Sequence, residues 1–154
     1  MNIHYLSEKL NNKHYKKICS QIYYVTDHLS LDYPKHKNWY FNKHLKGIGK
    51  DREVIYITNH NNICGVAFLK KSLEEKKICT FYVTEHSRNM GIGGKLLQEC
   101  FKYLETQTPL ISMPKYKVHY FIYYMYKYQW RITEILPTFY NNENDEVVFN
   151  GHLQ

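Results

Sequence analysis

The chain predicts a mixed α/β domain, a mostly antiparallel sheet flanked by helices. Three observations predict it. Three β-rich runs follow closely at 53–58, 63–70 and 76–84, the spacing of hairpins. A glycine-rich loop then opens an amphipathic helix at about residue 92. After it, strand-like and helix-like runs alternate to the end of the sequence.

The elements read in order. "NIHYL" (2–6) is a short first strand. Residues 10–29 carry Ile18, Ile22, Val25 and Leu29 at spacings of three and four, a helix. Pro34 opens a second helix at its first turn, running toward Gly47 and Gly49, which stop it. "EVIYIT" and "ICGVAFLK" are strands joined by "NHNN", a hairpin, and "KKICTFYVT" is a third strand. Leu96, Leu97, Cys100, Phe101 and Leu104 share one face of the helix after the glycines. "PLISM" (109–113) is a short strand. Residues 117–128 form a helix with Val118, Phe121, Ile122 and Met125 inward, and "WRITEIL" and "EVVFN" are closing strands.

Composition narrows the function. A length of 154 residues suits one domain with a real core, spanning 1–154. The 44% hydrophobic and 23% charged fractions are those of a soluble globular protein. No run of 18 apolar residues occurs, and "MNIHYLSEKL" lacks a signal-peptide layout, so a cytoplasmic location without membrane contact is expected. Cys19, Cys64, Cys79 and Cys100 are scattered singly and read as reduced, mostly buried thiols. The histidines form no metal-ligand spacing, so no metal is expected. A net charge of +7 fits a phosphate-bearing partner, or serves solubility alone.

The stretch "RNMGIGGKLL", Arg88 to Leu97, carries the chemistry. Glycines in a strand-to-helix turn let backbone N–H groups approach a ligand, and a helix N-terminus favours anions. A phosphate cradle is the sharp reading; a tight turn with nothing bound is the bland one. A dinucleotide fingerprint needs a small residue at 96, and a P-loop needs Gly at 89 and Ser or Thr at 96. Asn89 and Leu96 exclude both.

The pattern [Q/R]-x-x-G-x-[G/A] does fit, as Arg88, Gly91 and Gly93, after "FYVTEHS" and before "GKLLQECFKYL". In this setting it resembles motif A of the GNAT N-acetyltransferase family. Strand order follows the resemblance from about 2 to 150, while the specific part is 77–104. The resemblance implies a twisted mixed sheet with a splayed strand pair holding acetyl-CoA. It implies that the loop around Arg88, Asn89, Met90, Gly91, Ile92, Gly93, Gly94 and Lys95 holds the pyrophosphate, with amides of Met90 to Lys95 donating. The Arg88 and Lys95 side chains pair with phosphates or are exposed counter-charges. It further implies that the backbone of Phe81, Tyr82 and Val83 runs beside the pantetheine arm, an N–H near Val83 facing the thioester oxygen.

Relatives supply a proton to the departing thiolate from a tyrosine in a sequence like "FYEKLGF". Here 124–130 reads "YMYKYQW", with Met125 at the tyrosine position, Gln129 at the glycine and Trp130 at the last aromatic. A slipped alignment makes Tyr124 the acid. No base is assigned: Lys77, Cys79, Phe81 and Val83 are expected on one strand face without a carboxylate, and Glu85 and His86 follow it. The implied reaction moves an acetyl group to a primary amine of a small molecule, a protein or an aminoacyl-tRNA by direct attack on the thioester. Nucleic acid enters only in the last case, and the protein acts as monomer or homodimer. Two other readings remain, a basic nucleic-acid-binding module and a catalytically silent acyl-CoA-binding domain. No RNP1-like pattern supports the first.

Overall fold

β2 and β3 carry unbroken apolar runs because both faces of the sheet are covered, which removes the polar side of the usual alternation. In the computed structural model, which describes residues 1–153, β2 is Arg52–Asn59 and β3 is Asn62–Lys71. Val54, Tyr56, Val66 and Phe68 face one layer; Ile55, Ile57, Ala67 and Leu69 face the other. Their connection is the expected hairpin, with Asn59 paired to Asn62 and His60 and Asn61 both at positive φ.

Among the described residues seven strands form one sheet. The others are β1 (Asn2–Tyr5), β4 (Lys76–Val83), β5 (Leu110–Pro114), β6 (Ile132–Leu136) and β7 (Glu146–Phe149). The order is β1-β2-β3-β4-β5-β7-β6. All neighbours are antiparallel except β4 and β5, which are parallel. On one face lie α1 (Tyr15–Thr26) and α2 (His36–Trp39), over a core that includes Leu6, Cys19, Ile22 and Tyr40. On the other lie α3 (Ile92–Leu104) and α4 (Ile122–Tyr128). There Leu96, Leu97, Cys100, Phe101 and Leu104 are all buried, as the helical spacing predicts. Gly65 lets α3 come close: a Cβ at that position would lie 3.2 Å from Ile92 Cγ2.

The helices are shorter than the apolar spacing predicts. The Asn12 side chain accepts the His14 amide at 2.8 Å, a turn that delays α1, and a 3₁₀ turn at Asp27–Leu31 follows it. The segment after Pro34 passes from α2 into a wider π turn at Tyr40–His44, which brings Tyr40 and His44 both inward. The run at 117–128 divides into a 3₁₀ stretch, Lys115–Phe121, and α4. Val118, Phe121 and Met125 pack inward there, but Ile122 is 53% exposed, since the change from three to 3.6 residues per turn rotates it outward.

Candidate active site

β4 and β5 share only two residue pairs, Lys77↔Leu110 and Ile78↔Ile111. Beyond them β4 continues to Val83 and β5 to Pro114 without pairing, so the sheet opens into a wedge in its middle. A bulge at Cys79 helps to turn β4: Leu69 pairs with Ile78 and Phe68 with Thr80, leaving Cys79 extra. The bulge also corrects the expected face of this strand. Phe81 and Val83 join Ile78 on the α3 side, whereas Cys79 packs with Tyr82 on the α1 side. A period of two cannot hold across an inserted residue.

The glycine loop joins the open end of β4 to α3. Asn89 (φ 62) and Gly91 (φ 79) are both left-handed, and Gly91 is the N-cap. No side chain caps α3, and its first intrahelical bond runs from the Lys95 amide to the Gly91 carbonyl at 3.1 Å. The amides of Ile92, Gly93 and Gly94 precede that bond and are the donors a helix leaves over at its start. The Lys95 amide, expected in the cradle, donates within the helix, and the Lys95 side chain is exposed. A Cβ at Gly94 would meet nothing within 4 Å. Gly93 is different. Its Cβ would lie 3.0 Å from Tyr124 Oη and 3.7 Å from Val83 Cγ2.

The structure therefore brings Tyr124, Gly93 and Val83 together at the junction of β4, α3 and α4. Tyr124 is half-buried; burial, then Tyr128 and Tyr123, raises its phenol pKa, so it carries its proton at neutral pH. Tyr126 is exposed and belongs to no such junction. Phe81 meets the Phe121 ring edge-on at 5.9 Å. Arg88 donates from Nε to the Val83 carbonyl at 3.2 Å, and its guanidinium lies 5.8 Å from the Tyr82 ring and 5.7 Å from the Tyr120 ring. Met90 is exposed beside it. Glu85 and His86 are exposed and stand in the 3₁₀ turn after β4.

Two features went unread in the sequence. His28 packs on Tyr82, ring centroids 4.4 Å apart, and burial followed by the charge of Lys117 lowers its pKa. Glu146, at the start of β7, is 3% exposed. Its signal was present: a single acidic residue opening an otherwise apolar strand, "EVVF".

The model of the Acetyltransferase (GNAT) family matches residues 19–113, and the chain belongs to that family. No curated protein matches the sequence significantly. Solved structures share the fold. An aminoglycoside 6'-N-acetyltransferase complexed with coenzyme A is 13% identical over 97% of this chain and 95% of that one, with a TM-score of 0.65. A GNAT family acetyltransferase from Elizabethkingia anophelis, with acetyl-CoA bound, is 23% identical over 73% of this chain and 80% of its own, TM-score 0.56. The ribosomal-protein-S18-alanine N-acetyltransferase from Escherichia coli is 14% identical over 71% and 76%, TM-score 0.59. Among the described residues no helix is long and apolar enough to cross a membrane.

Proposed function

We propose that the chain acts as one N-acetyltransferase domain that moves an acetyl group from acetyl-CoA to a primary amine by direct attack on the thioester. One observation carries this reading: the wedge between β4 and β5 opens beside the uncapped N-terminus of α3. An extended arm with amide groups can lie along the unpaired edge of Phe81, Tyr82 and Val83, as a strand would. Its pyrophosphate then reaches the loop of Arg88, Asn89, Met90 and Gly91 and the amides of Ile92, Gly93 and Gly94, with Lys95 adding charge. A β4 amide near Val83 stabilises the oxyanion formed on attack. Tyr124, protonated and beside Val83 and Gly93, gives a proton to the departing thiolate. The acceptor is a primary amine of a small molecule, a protein or an aminoacyl-tRNA.

Ligand-dependent thermal unfolding tests the reading. Acetyl-CoA and CoA should bind at micromolar order and add about 2–3 kcal/mol of apparent stability at a hundredfold excess over Kd. No shift with either compound at millimolar concentration overturns it. Acetyl-CoA consumption across amine pools, charged tRNA included, then identifies the acceptor.

A further inference from the structure

β5 is buried at every position but one. Leu110, Ile111, Met113 and Pro114 are buried, while Ser112, in the middle of the strand, is partly open. Ser112 comes directly after the last β4–β5 pair, at the root of the wedge. Ile111 and Met113 pack on the α3 side, so Ser112 faces the α1 side. Its hydroxyl donates to Glu146 Oε2 at 2.7 Å, and the Tyr33 hydroxyl donates to the same oxygen at 3.0 Å.

Among the described residues no lysine, arginine or histidine forms an ion pair with Glu146. A buried carboxylate without a cation is costly, and two hydroxyl donors offset only part of that cost. The groups that face it are Asp32 and Tyr33 after α1, Lys77 from β4, Ser112 from β5 and Tyr140 after β6. Burial outweighs the hydroxyls and the distant Lys77 charge, and Asp32 adds to it; the carboxyl pKa is pushed up to about 7. The carboxyl itself is buried, while Ser112, its hydroxyl partner, is partly open where β4 and β5 part.

We infer that Glu146 takes the proton of the incoming ammonium group through the Ser112 hydroxyl. The inference rests on the acetyltransferase reading. An alkylamine acceptor arrives as R–NH3+ and cannot attack until it loses a proton. That proton passes to Ser112 Oγ while the Ser112 proton passes to Glu146 Oε2. The freed lone pair forms the C–N bond, and the C–S bond breaks as the tetrahedral adduct collapses. Tyr124 protonates the thiolate and is restored by the second N–H proton of the same nitrogen. Glu146 returns its proton to solvent by way of Ser112, so one proton is released per turnover.

The test compares spermidine, protonated at neutral pH, with hydroxylamine, which is mainly neutral there. Full-length wild type, Glu146→Gln and Ser112→Ala are assayed with acetyl-CoA at forcing amine concentrations, after CoA binding has been checked by thermal shift. Spermidine kcat should fall about 10²-fold in Glu146→Gln and about tenfold in Ser112→Ala, with hydroxylamine recovering most of the loss. Wild-type kcat/KM for spermidine should fall below about pH 7 with one ionisation that Glu146→Gln removes. Equal losses with both nucleophiles mean that Glu146 only braces Tyr33 against β5, and overturn the inference. Unchanged spermidine turnover in both variants also overturns it. A wild type that binds CoA yet acetylates neither amine overturns the inference while leaving the cofactor site intact; one that binds no CoA overturns the transferase reading itself.

Discussion

Met125, which stands where "FYEKLGF" has its tyrosine, packs on the core, while Tyr124 one residue earlier reaches Gly93 and is the proposed acid. Replacing only its oxygen, in Tyr124→Phe, keeps the ring contacts with Phe121 and Tyr123. Stability should change by less than about 1 kcal/mol and cofactor affinity little, while turnover drops on the order of 10²-fold. Tyr126→Phe, on an exposed residue, serves as the control and should keep full turnover. Steady-state kinetics on both variants check this, and equal losses would point to packing instead. The tyrosine was legible as a candidate from the resemblance alone. Its neighbours were not, since contact between residues 93 and 124 depends on how α3 and α4 lie across β4.

The first turn of α3 separates two roles for glycine. Gly93 is close to Tyr124, so a side chain there would disturb both the proposed cradle and the proposed acid; Gly94 looks into open space. Gly94→Ala should therefore leave the fold intact and raise its stability by up to about 1 kcal/mol, the helix-propensity gain over glycine. Gly94→Val places more bulk where phosphate is proposed to sit and should abolish CoA binding without unfolding the protein. Calorimetric titration with CoA and a urea melt distinguish the effects, and normal CoA binding by Gly94→Val would remove this turn from the cradle. The glycine loop and the strands were legible from local pattern: in β2 and β3 two covered faces yield continuous apolar runs, and a left-handed cap favours Gly91. The bulge at Cys79 and the π turn at Tyr40–His44 were not. Each inserts one residue into a regular period to satisfy a neighbouring element, and nothing local in the sequence demands it.

Across the whole molecule, buried ionisable groups set the response to acid. His36 and His44 are buried, and burial lowers their pKa values from 6.5 to about 4 and about 3. The unfolded chain takes up two protons in this range that the native state refuses, so their stabilisation is complete above pH 6.5 and lost as pH falls. Glu146 acts in the opposite sense. Its native carboxyl holds a proton up to about pH 7 and its unfolded one only to 4.5, so its contribution is full below 4.5 and lost as pH rises through 7. Between pH 4.5 and 6.5 these three groups alone give the unfolded state one net extra proton, and the lowered pKa values of His4 and His28 act in the same sense, so stability should rise by at least about 1.4 kcal/mol per pH unit. Glu146→Gln removes the opposing proton and should steepen the slope by about 1.4 kcal/mol per unit, read from urea midpoints against pH. The division of the sheet after Ile78 has a further consequence, for solvent exchange. β4 remains bonded to β3 on one side past that point, while its other side faces the wedge. Alternate amides from Thr80 to Val83 should then exchange with deuterium fast and slow in turn, a pattern written along a single strand. A ligand lying in the wedge would slow the fast set only, so the strand itself records, amide by amide, how far along it the guest extends.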